Sequence, residues 1–372
     1  MLLAVSLIVT FFVCTAVLHL LSYYANKFKL VDKSNQRKLH CGEVPLVGGV
    51  SVFLTVIIAI VILFGITPET IAVLVSFTLM VATGVLDDRY DLSVRLRILI
   101  QLIAAAVLVI GANVNIESLG DVFGLGEFKL GVFAIPFTIL AIMTAMNAYN
   151  MIDGIDGLLG CLATTTFIGL SALAFLAGNN IVFVFSLLMI FSLLPFLLHN
   201  LQLFKRPAIF MGDAGSMFIG LVIIWLMVLL LTPALQLNYE LKLAPLQSSD
   251  MVIRPVAMIW LITIPLMDML GIMTRRVLKK QNPFKPDRDH LHHIFMRAGF
   301  SSREALVIIT ASALFWMCVG ITLEWLKLKE VLVFAVFLGV FGVYLYCLTH
   351  AWKVVSFARK IFNFNERKSE LK

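Results

Sequence analysis

Charged side chains are scarce in this sequence. Asp, Glu, Lys and Arg make up 14% of its 372 residues, whereas soluble domains contain roughly 25%. Hydrophobic residues make up 60%, and the mean hydropathy is +0.99. A chain this poor in charge cannot cover the surface of an ordinary soluble domain, so its composition indicates a polytopic membrane protein.

Cysteine is also sparse, and its placement excludes two kinds of site. No pair of cysteines has the spacing of a metal-ligand or redox motif, and four of the five lie inside apolar runs. Neither a disulfide framework nor a thiolate metal site is therefore expected. The five residues are Cys14, Cys41, Cys161, Cys318 and Cys347.

Long apolar runs are what the sequence has in abundance. Since about 20 apolar residues cross a bilayer, we predict an all-α polytopic membrane protein with about eleven transmembrane helices. The first run lacks a basic leader and a cleavage site, so we expect it to be retained as a span. The predicted spans are 2–24, 46–65, 69–86, 96–113, 131–149, 158–177, 180–198, 214–232, 255–274, 305–326 and 330–350.

The basic residues give this arrangement an orientation. If the N-terminus is periplasmic, the cytoplasmic segments hold 24 of the 29 Lys and Arg residues. Cytoplasmic loops carry such an excess, so we predict a periplasmic N-terminus and a cytoplasmic C-terminus. The same distribution explains the net charge of +7 without nucleic acid. We predict one transmembrane catalytic domain over 1–350 and, over 351–372, a basic, aromatic tail that forms an interfacial helix.

Polar residues are concentrated between the fifth and sixth predicted spans, at 147–158. This junction holds Asn150, Asp153 and Asp156 among glycines. Ionisable groups beside a membrane span are costly to place and are usually functional. A polar turn with one capping residue is the alternative, but the junction has more such residues than a cap requires. Their spacing predicts that they converge loosely on one side.

Two further acidic segments lie at the predicted cytoplasmic ends of spans. Asp87 and Asp88 end the third span, and Arg95 and Arg97 follow with charge suited to a phosphate. Asp213 stands between glycines where the eighth span begins, as an N-cap or as a ligand of a hard cation. A charged stop at the membrane edge is the alternative for the first segment.

Histidines mark the longest cytoplasmic loop, which contains Pro286-Asp-Arg-Asp-His290-Leu-His292-His293. The usual zinc spacings are absent, so phosphate binding or nucleobase stacking is the favoured role, with a solvated basic loop as the alternative. A smaller basic segment containing His40 leads into Pro45-Leu-Val-Gly-Gly49. Carboxylate and amide oxygens together suit Mg²⁺ or Mn²⁺.

In order and position, these segments resemble the polyprenyl-phosphate N-acetylhexosamine-1-phosphate transferase superfamily. The His-x-His-His form after Pro-Asp-x-Asp resembles its bacterial branch that uses UDP-GlcNAc and undecaprenyl phosphate, and that starts O-antigen and enterobacterial common antigen lipid carriers. The matching motifs are Pro45–Gly49, Asp87-Asp-x-x-Asp91, Asn150-x-x-Asp-Gly-x-Asp-Gly157, Gly212-Asp213-x-Gly-Ser216 and His290-Leu-His-His293.

The resemblance implies a role for each matched residue. The metal position falls on Asp213, with Asn150 as a second contact, and Asp87 and Asp88 fall where the lipid phosphate binds. The predicted catalytic residues are Asp87, Asp88, Asp153, Asp156 and Asp213; the predicted substrate-binding residues are Asn150, Asp156, His290, His292, His293, Arg95, Arg97 and His40; and the predicted metal ligands are Asp213 and Asn150.

The implied reaction transfers GlcNAc-1-phosphate from UDP-GlcNAc to undecaprenyl phosphate in the bacterial inner membrane and releases UMP, with Mg²⁺ or Mn²⁺. A single in-line displacement is favoured over a covalent Asp intermediate. The donor could instead be another UDP-N-acetylhexosamine, and the resemblance does not divide the roles of Asp153 and Asp156.

A transporter is disfavoured because the acids lie at span ends and the span centres read as apolar. Membrane lipids are expected partners, and an apolar interface would suit a homodimer.

Overall fold

A computed structural model describes residues 2–33, 43–203, 208–232, 251–282 and 290–361. His40, residues 286–289 and the end of the tail lie outside these ranges. Helices account for nearly all regular structure in the described part. They are α1 Leu2–Phe28, α2 Gly48–Phe64, α3 Pro68–Tyr90, α4 Val94–Gly111, α5 Ala134–Ile152, α6 Leu158–Leu176, α7 Asn180–Asn200, α8 Gly212–Leu231, α9 Pro255–Leu261, α10 Thr263–Leu278, α11 Leu291–Ala298, α12 Ser302–Trp325, α13 Glu330–Thr349 and α14 Ala351–Ile361.

The all-α membrane fold is confirmed, but the count of eleven spans is not. Within the described ranges, nine helices are long and apolar enough to cross a bilayer, and a tenth span exists if α9 and α10 count as one. The second predicted span forms α2, which has only 17 residues. At 1.5 Å per residue, α2 is about 26 Å long, short of a hydrocarbon core of about 30 Å. The orientation of the termini stays a prediction.

The predicted span 255–274 is broken into two helices. The axes of α9 and α10 differ by 83°, and Ile262 between them has non-helical backbone angles. Pro265 is tolerated because it stands in the first turn of α10, where backbone N–H groups have no helical partner. The Thr263 hydroxyl donates to the Trp260 carbonyl at 2.8 Å, which satisfies one group freed by the break.

Helix α8 lies at the centre of the bundle, where 94% of its most apolar 18-residue stretch is buried. Its backbone packs so closely against the neighbouring helices that a Cβ would not fit at two of their glycines or at one glycine of α8. Gly49 of α2 lies against the backbone of Gly215, Gly84 of α3 against Ala214, and Gly220 of α8 itself against α5. The first turn of α8 is therefore held firmly between α2 and α3.

The Pro45–Gly49 motif fixes the chain just before α8. Its first residue ends the second strand of a two-stranded antiparallel sheet, β1 Val31–Lys33 and β2 Glu43–Pro45. The Phe210 amide donates to the Pro45 carbonyl at 2.9 Å, and the Gly48 amide donates back to the Phe210 carbonyl at 3.0 Å. The Gly49 amide donates to Met211 at 2.9 Å. This motif is thus a backbone clamp that positions the start of α8.

The described part of the C-terminal tail forms α14. Val355 is buried, and the Arg359 guanidinium donates to the Arg297 carbonyl at 2.6 Å, which ties α14 to α11. That this helix lies at the membrane interface stays a prediction, as does the proposed division at residue 350.

Candidate active site

The site is built on the first turn of α8, where Asp213 is the second residue. The N-cap residue, Met211, provides no side-chain hydrogen bond. The cap comes instead from Asp88 near the end of α3, which accepts from the amides of Asp213 at 2.9 Å and Ala214 at 3.4 Å. Asp213 is therefore not the cap of its own helix, and its carboxylate is available for another role.

Asn150, in the last turn of α5, aims at the same carboxylate. Its Nδ2 donates to Asp213 Oδ1 at 2.6 Å and to the Ser216 hydroxyl at 2.9 Å. The ends of α3, α5 and α8 thus meet at Asp213. Asn147 lies one turn earlier, and its amide donates to Gln101 on α4 at 3.0 Å, so it joins two helices rather than facing the site.

Asp87 is almost fully committed to contacts within the protein. It is 6% exposed, and its two oxygens accept from Arg97 Nη1 and from the Leu92 amide, both at 2.8 Å. Arg97 is consequently bound to a carboxylate in the described structure, whereas Arg95 is exposed. Helix α3 ends before Asp91, whose left-handed backbone (φ 53°) turns the chain toward α4.

The segment after α5 does not continue as a helix. Asp153 is its C-cap, so Asn150, Asp153 and Asp156 do not share one helix face. The chain turns at Gly157 (φ +81°), whose amide donates to Asn200, while the Asn200 amide donates to the Ile209 carbonyl at 2.9 Å. Asn200, which the sequence reading missed, therefore links this loop to the segment before α8.

Asp153, in the loop after α5, has a strongly raised pKa. Burial raises this pKa most, and the negative charges of Asp213 and Asp156 raise it further, to about 7. Its side chain reaches water, which moderates the effect of burial and leaves the repulsion by the two neighbouring carboxylates as the part that a ligand can change. A cation bound among these groups would relieve that repulsion.

The histidines lie at the start of α11, against the loop that follows α5. His292 is 2% exposed and packs so closely on Gly154 that a Cβ there would overlap its ring. Neither ring nitrogen of His292 has a hydrogen-bond partner among the described residues. Burial and the neighbouring His293 and His290 lower its pKa to about 3, so His292 is neutral at physiological pH.

Asp268 on α10 is the second residue that the sequence reading missed. It is 1% exposed and accepts from His290 Nδ1 at 2.8 Å and from the Leu291 amide at 2.9 Å. It lies inside the predicted span 255–274, so the reading of the span centres as apolar was wrong at this point. The signal was present, because an acid within an apolar run is functional by default.

The oxygen-rich side of the site suits a hard divalent cation. Within the described ranges, no group of three or more His, Cys, Asp or Glu side chains could hold a metal ion alone. Mg²⁺ is commonly bound by one or two carboxylates together with substrate phosphates and water. Asp213 fits that pattern, since its surroundings are negative and its helix is capped by another residue.

Comparison with known proteins shows the family to which the chain belongs. Residues 70–231 match the family described as glycosyl transferase family 4. An undecaprenyl-phosphate alpha-N-acetylglucosaminyl 1-phosphate transferase of Salmonella typhi is 39% identical over 96% of this chain and 94% of its own length. The chain belongs to glycosyl transferase family 4. Transferases with the same name from Yersinia pestis (39% identical, 98% of this chain and 97% of the relative) and Haemophilus influenzae (36%, 96% and 97%) are also similar.

The family match and the relatives cover different parts of the site. The glycosyl transferase family 4 match runs from the first turn of α3 to the end of α8, so it includes Asp87, Asp88, Asn150 and Asp213. The histidine helix α11 lies beyond it. The longer similarity to the three transferases spans nearly the whole chain, which makes this protein an enzyme of the same family of phosphate transferases.

Proposed function

We propose that this protein is a multi-pass enzyme of the bacterial inner membrane that transfers GlcNAc-1-phosphate from UDP-GlcNAc to undecaprenyl phosphate and releases UMP. The observation that carries the proposal is the meeting of Asp88, Asn150 and Asp213 at three helix ends, while the loop after α5 contacts the buried His292. The similarity of about 39% over 96% of the chain to transferases named for this lipid and sugar supports the substrates.

The metal side of the site would be organised by Asp213. Transferases of this family depend on a divalent metal, and we propose Mg²⁺, with Mn²⁺ as an alternative, held by Asp213 with Asn150 beside it. The cation would offset the repulsion between two anionic phosphates in a site of low dielectric. Asn150 donates to one oxygen of Asp213 and so orients the other.

Asp87 and Asp88 are proposed to position groups rather than to abstract a proton. The acceptor is a phosphate monoester with a second pKa of about 6, so it is largely ionised at neutral pH and needs no general base. Asp88 fixes the backbone of Asp213, and Asp87 is neutralised by Arg97. Because both carboxylates already accept hydrogen bonds within the protein, neither is a good candidate for a covalent intermediate. This favours direct in-line displacement.

The histidine side is proposed to receive the nucleotide sugar. A neutral His292 can accept or donate a hydrogen bond through nitrogens that have no partner among the described residues. Exposed Arg95 supplies positive charge near the same end of the bundle. Asp153 and Asp156 lie on the loop between the two sides.

One assay tests the proposal. Purified protein is incubated with radiolabelled UDP-GlcNAc, undecaprenyl phosphate and Mg²⁺, and lipid-linked GlcNAc-diphosphate is separated by chromatography. The wild type should form product, and Asp213→Asn should reduce the rate by about 10³-fold, since it removes electrostatic stabilisation at the reacting phosphates. Glu127→Gln is the matched control, because Glu127 is an exposed carboxylate on the α4–α5 loop at the opposite end of the bundle. Absence of product, or full activity of Asp213→Asn, would refute the assignment.

The identity of the sugar and of the metal requires its own comparison. Competition of unlabelled UDP-GlcNAc and UDP-GalNAc against the labelled donor should show preference for UDP-GlcNAc. Parallel titrations with Mg²⁺ and Mn²⁺ after chelation will decide between the ions. The product would then be the first membrane intermediate for O-antigen or enterobacterial common antigen.

A further inference from the structure

Asp268 accepts hydrogen bonds from three donors, which come from two other elements of the fold. His290 Nδ1 donates to Oδ2 at 2.8 Å, while the Leu291 amide at 2.9 Å and the Tyr344 hydroxyl at 2.8 Å both donate to Oδ1. Asp268 itself lies in α10, and none of the motifs that carry the family resemblance includes it. The carboxylate thus joins α10 to the start of α11 and to α13.

A carboxylate at this position is costly unless it is well paired. It is 1% exposed within a helix that continues an apolar segment, and removal of an ion from water is expensive. An apolar side chain would pack here without that cost. The role of this carboxylate is therefore to be sought in its hydrogen-bond donors. Two of them, His290 and Leu291, belong to the histidine segment.

The contacts fix both the ring and the helix that follows it. A hydrogen bond from Nδ1 to a carboxylate defines which nitrogen of His290 is left for other contacts, and it fixes the ring plane. The Leu291 amide belongs to the first turn of α11, whose N-cap residue makes no side-chain cap of its own. The His290 and His292 rings are nearly parallel, with centroids 5.9 Å apart.

We propose that Asp268, supported by Tyr344, is a positioning residue for the nucleotide-sugar side of the site. It holds His290 in one tautomer and orientation, and it anchors the first turn of α11 so that His292 remains against Gly154. This inference rests on the proposed transferase function. It assigns no contact with substrate to Asp268 itself.

The test compares steady-state kinetics of Asp268→Asn and Asp268→Glu with those of the wild type, with each substrate varied in turn. Asp268→Asn places an amide donor against groups that themselves donate. We expect kcat/KM for UDP-GlcNAc to fall by about 10- to 100-fold, as when the partner of a functional histidine is removed. The KM for undecaprenyl phosphate should change less than twofold, and Asp268→Glu should restore part of the loss.

Tyr344→Phe provides a milder variant that keeps the carboxylate. It removes one of the three donors, and we expect a loss of about two- to fivefold in kcat/KM for UDP-GlcNAc, in the same direction. Tyr346→Phe is its matched control, because Tyr346 is on the same helix but is 61% exposed. If Asp268→Asn does not fold in detergent, the difference between Tyr344→Phe and Tyr346→Phe decides the matter.

Two results would overturn the inference while leaving the proposed function intact. One is an active wild type with unchanged kinetics for Asp268→Asn, or for Tyr344→Phe where that variant has to decide. The other is a fall in kcat alone with both KM values unchanged and a lower Tm, which is the signature of a structural role. An inactive wild type would instead refute the proposed function, and the inference would fall with it.

Discussion

Helices α8 and α11 both begin beside the end of α5 and the loop that follows it, and each is capped by an aspartate from a different helix. Asp88 of α3 accepts from the first-turn amides of α8, and Asp268 of α10 accepts from that of α11. In neither helix does the N-cap residue contribute a side-chain cap. Both starts therefore depend on contacts between residues distant in sequence, which fix the helix ends to the bundle.

The two caps differ in their electrostatic surroundings. Asp88 is close to other carboxylates, Asp213 and Asp87, which repel it. Asp268 is surrounded by hydrogen-bond donors, including His290 and Tyr344. The Asp88 side thus carries an excess of negative charge that a cation would offset, whereas Asp268 is paired within the protein. We therefore expect the proposed metal-binding role and the proposed nucleotide-binding role to be separable by substitution.

Among the substitutions that test this comparison, the one that weakens the cap of α8 should have the largest effect. Asp88→Asn turns one acceptor toward the α8 amides into a donor, so the Asp213 carboxylate should shift. A displacement of about 1 Å at a reacting centre costs about 10²-fold in rate. We expect a loss of that size in kcat, together with a higher Mg²⁺ concentration for half-maximal activity.

Titration of activity with Mg²⁺ measures both quantities for Asp88→Asn. The Asp268→Asn variant should keep the wild-type Mg²⁺ requirement, and this contrast separates the two caps. Equal Mg²⁺ curves for Asp88→Asn and the wild type would show that Asp88 does not position the metal side.

A smaller effect is expected where the two sides touch. Gly154→Ala would place a Cβ on the His292 ring, which is buried and has little room to move. We expect kcat/KM for UDP-GlcNAc to fall by about tenfold, since the histidine helix must shift to relieve the overlap. Gly339→Ala is the matched control, because Gly339 has open space around it in α13. Loss of activity in both variants would point to a general packing defect instead.

The smallest expected effect concerns stability and pH. Because the pKa of Asp153 is raised to about 7, the folded state holds its proton more tightly than the unfolded chain. The protonated Asp153 therefore stabilises the folded state. This stabilisation is fully present below about pH 4 and is lost as the pH rises through 7. Without metal at pH 8, Asp153→Asn should have a Tm about 1–2 °C above the wild type.

Thermal unfolding in detergent with EDTA measures this difference. The gap should close at pH 4 and should also close when Mg²⁺ is added to the wild type at pH 8. A gap that is independent of pH would show that the carboxylate charge is not its cause.

The helices of this protein were largely predictable from the sequence. The predicted spans 158–177 and 180–198 correspond to α6 Leu158–Leu176 and α7 Asn180–Asn200. Long apolar runs ended by polar residues leave little choice, because a backbone in lipid must satisfy its own hydrogen bonds. The same reasoning correctly placed Asp213 in the first turn of a helix, a position that depends only on neighbouring residues.

Contacts between distant residues were not predictable in this way. The cap from Asp88 to Asp213 crosses 125 positions of sequence, and no local pattern reports it. The break at Ile262 was missed because the surrounding run is uniformly apolar, although Pro265 was a signal for a helix start. Asp268 was overlooked for the same reason, since hydropathy averaged over a span hides one acid.

The close backbone contacts of α8 have a consequence for how the enzyme completes a cycle. With glycines of α2 and α3 pressed against its first turn, α8 has no space in which to tilt, so the turn that carries Asp213 is held in place. Helix α11 has only eight residues and is held by Asp268 and by the contact with α14. We therefore expect any movement during the catalytic cycle to be larger at α11 than at α8, and we expect substitutions in α14 to influence it through the Arg359–Arg297 contact.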